Sequence, residues 1–340
     1  MLDYSPLREL VAIDSPSGFT DKACQYIFDY LTRLGYTPQF TNKRAVKCVL
    51  GASPTLSITS HVDTLGGIVS SITKEGLIRL SKVGGPSLNS YEGGHCRIYT
   101  LDERVYTGTL LLDNPSVHTN RNERTAQRTL YNMHIRIDEL VESRKDVAAL
   151  GIQNGDFICF ETYYQELPSG FIKSRFMDNK AGCFVMFEIA RRLKEAGREV
   201  PVELYFTNYE EVGHGGSSGH SGGIEELLVI DMGVVGEDHQ GRETACSICA
   251  KDASGPYDYQ FRKTLVQLAE KNNIPFVQDV YPFYRSDGSA ALRAGRDFRV
   301  AVVGPGVSAS HGMERTHKQG IEATIDLCMK YIEGKGTRKK

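Results

Sequence analysis

Tryptophan is absent from the 340 residues. That removes the side chain most used to stack sugar rings, so a polysaccharide-binding role loses weight. Long apolar runs are also missing. No stretch approaches the ~18 consecutive apolar residues of a membrane-spanning helix. The opening Met1-Leu2-Asp3-Tyr4-Ser5 has neither a basic n-region nor an apolar h-region, so no signal peptide is expected. Nor is there an excess of one charge. Lys+Arg number 40 and Asp+Glu 42, a formal net charge of -2. Neither nucleic acid nor a membrane surface is therefore expected as the main partner. Paired cysteines are scarce too. Of eight Cys, only Cys246 and Cys249 form a CxxC, and no second pair completes a zinc site. A reduced, cytoplasmic setting fits better than a disulfide framework. Cys24, Cys48, Cys159, Cys183 and Cys328 sit among apolar neighbours and read as core, and the CxxC reads as packing.

What remains is an ordinary globular balance, 40% hydrophobic and 24% charged. The length suggests roughly two domains. Glycine, at 34 residues, is in modest surplus and fits frequent strand-to-loop transitions. Much of it clusters at Gly66-Gly67, Gly213–Gly216 and Gly304–Gly306, which read as loops.

The chain begins α then β. Tyr4–Ala12 and Lys22–Leu34 carry helical spacing, and Ala45–Leu50 and Leu56–Thr59 read as strands. From Ile68 to about Tyr164 the character changes to short β-like runs, among them Leu77–Leu80, Cys96–Leu101, Arg104–Leu112 and Phe157–Phe160. The polar stretch Asn114–Ala126 reads as an exposed loop. After Ser169 the α/β pattern returns. Asp178 can cap a helix running to about Ala196, with Val185, Ile189 and Leu193 on one stripe and Met186 and Ala190 on its neighbour. Val202–Thr207, Leu227–Ile230 and Arg299–Val303 read as strands, and Tyr259–Asn272 and Gly320–Glu333 as helices. The basic tail Lys335–Lys340 reads as a frayed end. This alternation predicts a doubly wound, mostly parallel α/β sheet. Residues 1–68 and 165–340 would form it, and 69–164 would be a β-rich insert.

The chemistry lies just past the end of each apolar strand. Leu56–Ser60 runs into His61-Val62-Asp63. Val202–Thr207 runs into Asn208-Tyr209-Glu210-Glu211. Leu227–Ile230 runs into Asp231, and Arg299–Val303 into Gly304-Pro305-Gly306 with His311 beyond. Asp178 opens a helix. In open α/β sheets, sites form at the carboxyl ends of the strands. Five groups of His, Asp and Glu therefore converge on one edge. Imidazole and carboxylate without thiolate suit a divalent ion such as Zn²⁺, Co²⁺ or Mn²⁺. The carboxylates exceed the needs of one ion and suggest two. Within Glu210-Glu211, one carboxylate would bind metal and the other would accept a proton from the attacking water.

His61-x-Asp63, Asp178-Asn179-x-Ala181-Gly182, Glu210-Glu211-Val212-Gly213, Asp231 after a strand, and a C-terminal His resemble the tetrahedral (TET), deblocking and glutamyl aminopeptidases, a family of co-catalytic metallopeptidases. Leu110–Leu112 to His118 and Ala149-Leu150-Gly151 to Gly155-Asp156 are similar to that family's insert. The resemblance implies a zinc-peptidase-like α/β/α domain with an inserted small β-barrel that serves oligomerisation. It implies two metal ions, zinc or cobalt first and manganese as an alternative. His61, Asp178 and Asp231 would hold one ion. Asp178, Glu211 and His311 would hold the other. Glu210 would be the general base, and Asp63 would accept the free imidazole N–H of His61. Peptides would be cut from the N-terminus, inside a homo-oligomer of dodecamer type.

Two departures stand out. The family usually has His-Ser-Pro near its last ligand, whereas this chain has Ser310-His311-Gly312-Met313-Glu314-Arg315-Thr316-His317. His311, nearer the strand end, is preferred over His317. The chain also has Ser286-Asp287-Gly288-Ser289 where the family tends to have Gly-Thr-Asp, which leaves the role of Asp287 open. Each motif has a plainer reading: Asp178 as a helix cap, Glu210-Glu211 as a solvated strand end, Arg175 and Lys180 as counter-charges. A carboxypeptidase or N-acyl amino acid deacylase on the same scaffold is the rival enzyme. An inactive oligomeric scaffold is the rival of another class.

Overall fold

The computed structural model describes residues 2–335; the basic tail beyond Lys335 lies outside them. The chain divides into two compact units. One comprises the residues up to Thr64 and from Tyr163 on; the other is Leu65–Thr162. No helix among the described residues is long and apolar enough to cross a membrane.

The first unit is built on a mixed sheet with a parallel centre. Val202–Thr207, Leu56–His61, Glu226–Ile230 and Arg299–Ser308 lie side by side in that order, each parallel to the next. Val46–Val49 joins one edge antiparallel. On the other flank Glu314–His317 pairs with Phe171–Ser174, again antiparallel. The central strands are buried on both faces, which is why they read as apolar runs instead of alternating ones. Antiparallel strands at both flanks make the sheet less uniformly parallel than the sequence pattern suggests. Cys246–Asp252 is a strand with no clear strand signature in its sequence. It lies antiparallel to Arg299–Ser308, and its cysteines are buried and unpaired.

Helices cover the sheet. Met177–Glu195 is the central one, buried over most of its surface. Val185, Ile189 and Leu193 pack into the core as their spacing predicts, and so do Phe184 and Phe187 from the flanks of that stripe. The wet face is narrow. It carries Arg191, which pairs with Glu188 and Glu195. Ser5–Val11 and Lys318–Lys335 also pack on this helix. Gly182 is a packing necessity. A Cβ there would stand 2.9 Å from the carbonyl of Ile230 and would clash with Ser60 and Asn179. Its absence lets the helix start lie directly against the strand ends.

The second unit is a closed barrel of Gly66–Ile72, Ile78–Val83, Met133–Ile137, Val105–Leu112, His95–Tyr99 and Phe157–Phe160, in that order around the wall. All the neighbouring pairs are antiparallel. Val69, Leu80, Ile98, Leu110, Ile135 and Ile158 are buried. Asn114–Ala126 forms neither helix nor strand. Gly66-Gly67 proves to be the start of a barrel strand, and Gly304–Gly306 lies within the strand Arg299–Ser308; neither is a loop.

One buried charge belongs to the sheet and not to the site. Glu203, fully buried, accepts hydrogen bonds from the Ser57 hydroxyl at 2.9 Å and from the Ser221 backbone N–H at 3.0 Å, and its carboxylate is 3.6 Å from His220. Burial opposes its ionisation, but the bonds from His220, Ser221 and Ser57 outweigh that and hold its pKa below the usual glutamate value. Its stabilisation is therefore complete above the ordinary glutamate range and fades as the pH falls through the depressed native value. Glu203→Ala strands buried donors and is expected to cost about 2 kcal/mol at pH 7, with the deficit shrinking in acid. Urea unfolding at pH 7 and below pH 4 measures both.

Candidate metal centre

Because the four central strands are parallel, their carboxyl ends share one edge, and their last residues meet there. His61 ends its strand, Glu210-Glu211 come shortly after Val202–Thr207, and Asp231 comes directly after Glu226–Ile230. Asp178 arrives from the helix Met177–Glu195. Its carboxylate oxygens are taken up by His61 and Ser310 and not by the N–H groups of the helix start. The His61 Nε2 is 3.2 Å from Oδ1. Asn179 fixes the turn by donating to the Ser60 hydroxyl at 3.0 Å and to the Ile230 carbonyl at 2.8 Å.

Two ligand-type groups result. His61, Asp178 and Asp231 form one; Asp178, Glu211 and His311 form the other. Within each, one candidate ligand atom per residue lies within 4.8 Å of the others, and Asp178 is shared. His61 Nε2 is 3.9 Å from Asp231 Oδ1; His311 Nε2 is 3.6 Å from Glu211 Oε2 and 3.7 Å from Asp178 Oδ2. Ser310 donates to Asp178 Oδ2 at 3.2 Å. Glu210 Oε2 is 3.8 Å from His61 Nε2, and its side chain is 14% exposed, so it faces the open side. His311, at 39%, is the most exposed of the set.

Asp63 departs from its expected role. His61 Nδ1 meets the Asp63 backbone carbonyl at 2.9 Å, while the Asp63 carboxylate is 3.7 Å away. That carboxylate accepts the Glu210 N–H at 3.1 Å, the Glu211 N–H at 3.3 Å and the Ser17 hydroxyl. Asp63 thus positions its neighbours and does not reach into the reaction space. Asp287 is buried beneath the same loop: it accepts a hydrogen bond from Thr207, and its Cβ lies 2.8 Å from where a Cβ on Gly216 would stand. His317 stays out of the cluster, its Nε2 held by the Ser169 carbonyl at 3.0 Å. The Lys180 Nζ donates to the carbonyls of Leu10 and Ile13 and meets the acids only through the field of Asp14 and Asp63. Arg175 donates to the carbonyl of Gly312. His220 belongs to the Glu203 network, and His214 stacks on Tyr209.

The electrostatics are those of crowded acids. Burial raises the pKa of Glu210, Glu211 and Asp231, and neighbouring carboxylates add to it; Asp231 reaches about 8. Burial alone would hold His61 neutral, but its bond to Asp178 and the charges of Glu210, Asp231 and Asp63 raise its pKa well above the usual histidine value. Glu211 Oε1 is buried with no hydrogen-bond partner among the described residues. Buried carboxylates that repel one another and leave an oxygen unsatisfied are what a divalent ion relieves. Three carboxylates and two imidazoles, without thiolate, are a fitting donor set for such ions.

A buried His/Asp/Glu pocket at the carboxyl edge of an α/β sheet is the setting of a candidate metal centre, and a family match makes it that of a metal-dependent hydrolase. The family model described as M42 glutamyl aminopeptidase matches residues 45–327, and the chain belongs to that family. It is a hydrolase of the metallo-aminopeptidase type, and the family is metal-dependent. A Bacillus subtilis (strain 168) protein named "Putative aminopeptidase YhfE" is 40% identical over 332 residues, covering 96% of each chain. The glutamyl aminopeptidase of Lactococcus lactis subsp. cremoris is 27% identical over 62% of this chain and 60% of its own. Among solved structures, a TET aminopeptidase from a marine sediment archaeon (Thaumarchaeota) superposes with a TM-score of 0.87 at 21% identity, covering 96% of this chain and 95% of its own. Pyrococcus horikoshii TET1 gives 0.85 at 21%, with 96% and 98% covered. These last two show the fold.

Glu314 and Ser17 join the site without any signal in the sequence. Both act through hydrogen bonds to groups distant in sequence or on the backbone, and neither stands at the end of an apolar strand. Asp63→Asn turns an amide N–H toward the Glu210 or Glu211 N–H. It is expected to lower kcat roughly 10- to 100-fold with metal content unchanged. Steady-state kinetics beside elemental analysis of the same sample checks this.

Proposed function

We propose that the chain is a two-metal aminopeptidase that removes N-terminal residues from peptides. The observation that carries this reading is the sharing of Asp178 by two ligand-type groups, with the Glu210 carboxylate beside them, 3.8 Å from His61 Nε2. His61, Asp178 and Asp231 would hold one divalent ion, and Asp178, Glu211 and His311 the other. When bound, the ions polarise the scissile carbonyl and acidify water.

The rest is done by the chain's own residues. The Glu210 carboxylate takes a proton from the attacking water as its oxygen bonds to the first peptide carbonyl carbon. It then gives that proton to the leaving amine nitrogen as the C–N bond breaks. Asp63 holds the Glu210 backbone and, through its carbonyl, leaves His61 Nε2 free to face Asp178 and Asp231. The ligand set by itself would serve deacylation or carboxypeptidase action equally well; membership of the glutamyl aminopeptidase family favours aminopeptidase action, and a complete ligand set speaks against an inactive scaffold.

Zinc or cobalt suits the donors best, with manganese as an alternative. Assembly into a homo-oligomer, of dodecamer type, fits the chain's fold likeness to TET1, which can form a tetrahedron or a large octahedral shell. The barrel unit is the part proposed to mediate it; its Tyr131 and Leu140 are almost fully exposed. Eight unpaired thiols suit the reducing cytoplasm.

Glu210→Gln is expected to keep its metal and lose turnover by roughly 10²- to 10⁴-fold; retained activity at full occupancy would refute the base. Elemental analysis of washed protein is expected to give two divalent ions per chain. Chelation should abolish activity, and zinc, cobalt or manganese should each be tried in restoring it. A panel of aminoacyl anilides, N-acetyl amino acids and C-terminally unblocked peptides tests the reaction. Turnover of the last two classes alone would overturn the aminopeptidase reading.

A further inference from the structure

Where the paired strands Phe171–Ser174 and Glu314–His317 separate, one chain leads to Asp178 and the other comes from His311. Ser174 and Glu314 are partners in register at the point of separation. The Glu314 side chain is 2% exposed and reaches both branches. Its Oε2 accepts the Asp178 N–H and its Oε1 accepts the His311 N–H, each at 3.0 Å. Both oxygens of one carboxylate are thus used on the backbones of two residues whose side chains belong to the same ligand-type group.

The His311 branch needs holding. Ala309 and His311 have φ of 57° and 63°, a left-handed conformation that costs roughly 1 kcal/mol or more per non-glycine residue. Contacts that oppose relaxation of this loop include the Glu314 bond to the His311 N–H, the Arg175 bond to the Gly312 carbonyl at 3.1 Å and the Ser310 bond to Asp178 at 3.2 Å. His61 and Asp231, in contrast, extend from sheet strands that fix them without Glu314.

We propose that Glu314 is a positioning residue for the second ion. By holding the Asp178 and His311 backbones on its two oxygens, it sets the spacing of the Asp178, Glu211 and His311 donors and so the affinity of that ion. The inference rests on the two-ion reading above. It assigns no ligand role to Glu314, whose oxygens are already engaged by backbone N–H groups.

The test is a calorimetric titration of metal-free protein with Co²⁺, with the visible Co²⁺ absorption followed in parallel. The comparison is wild type, Glu314→Gln, Glu314→Asp and, as a remote buried-carboxylate control, Glu203→Gln. The glutamine amide would point an N–H at one of the two backbone donors, and aspartate is one methylene too short to meet both. Either variant is expected to weaken the ion of Asp178, Glu211 and His311 roughly 10- to 100-fold, and to weaken the ion of His61, Asp178 and Asp231 clearly less, because only Asp178 of that group depends on Glu314. Its absorption band at low Co²⁺ should be that of one ion, and activity should recover as Co²⁺ is raised. The control should keep two wild-type affinities. Two wild-type affinities in both Glu314 variants, or equal weakening in the Glu203 control, would overturn the proposal. Wild-type protein saturating at one Co²⁺ would instead overturn the two-ion reading. Should Glu314→Gln fail to fold, Glu314→Asp decides alone.

Discussion

Acidic side chains stripped of water repel each other, and this structure crowds them at one edge of a sheet. Asp63, Glu210, Glu211 and Asp231 share that edge because parallel strands end there together, and a helix start brings Asp178 to the same place. Much of the surrounding architecture serves this crowding. Gly182 lets a helix start close enough to deliver Asp178. Asn179 ties that start to two strand ends. Asp63 commits its carboxylate to backbone N–H groups, which fix its place, while its charge still adds to the pocket and helps raise the pKa of His61, Glu210 and Glu211. His61 offsets only part of the remaining charge, and Glu211 Oε1 has no hydrogen-bond partner among the described residues. A divalent ion is the simplest answer chemistry offers.

The positions of His61, Glu210, Glu211 and Asp231 are legible in the sequence because each comes after a run of apolar residues too short for a helix. Parallel topology turns that local fact into a shared location. Asp178 is legible only as part of a motif. Its own local signal, an acid at a helix start, points to capping, whereas its carboxylate is taken up by His61 and Ser310. The first and third barrel walls, Gly66–Ile72 and Met133–Ile137, are not legible. Gly66-Gly67 imitates a loop, and Met133–Ile137 comes after a long polar stretch that hides its alternation. The CxxC at Cys246 reads as packing, which its burial bears out, but the strand pairing of Cys246–Asp252 depends on a partner more than fifty residues away. Asp63 shows a different limit. A carboxylate two residues from a histidine looks like its partner, yet the covalent geometry of a strand end delivers the carbonyl to the imidazole and sends the side chain elsewhere. Contacts to backbone N–H groups leave no pattern in side-chain type, and Glu314 is silent in the sequence for the same reason.

Asp63 also ties two functions to one set of covalent bonds. Its carbonyl steers the imidazole that faces the ligand pocket, and its carboxylate anchors the peptide that carries the proposed base. Because Glu210 follows the neighbouring strand Val202–Thr207, Asp63 also pins the end of that strand to the end of its own, so one buried residue stitches together the two strand ends that carry the imidazole and the proposed base.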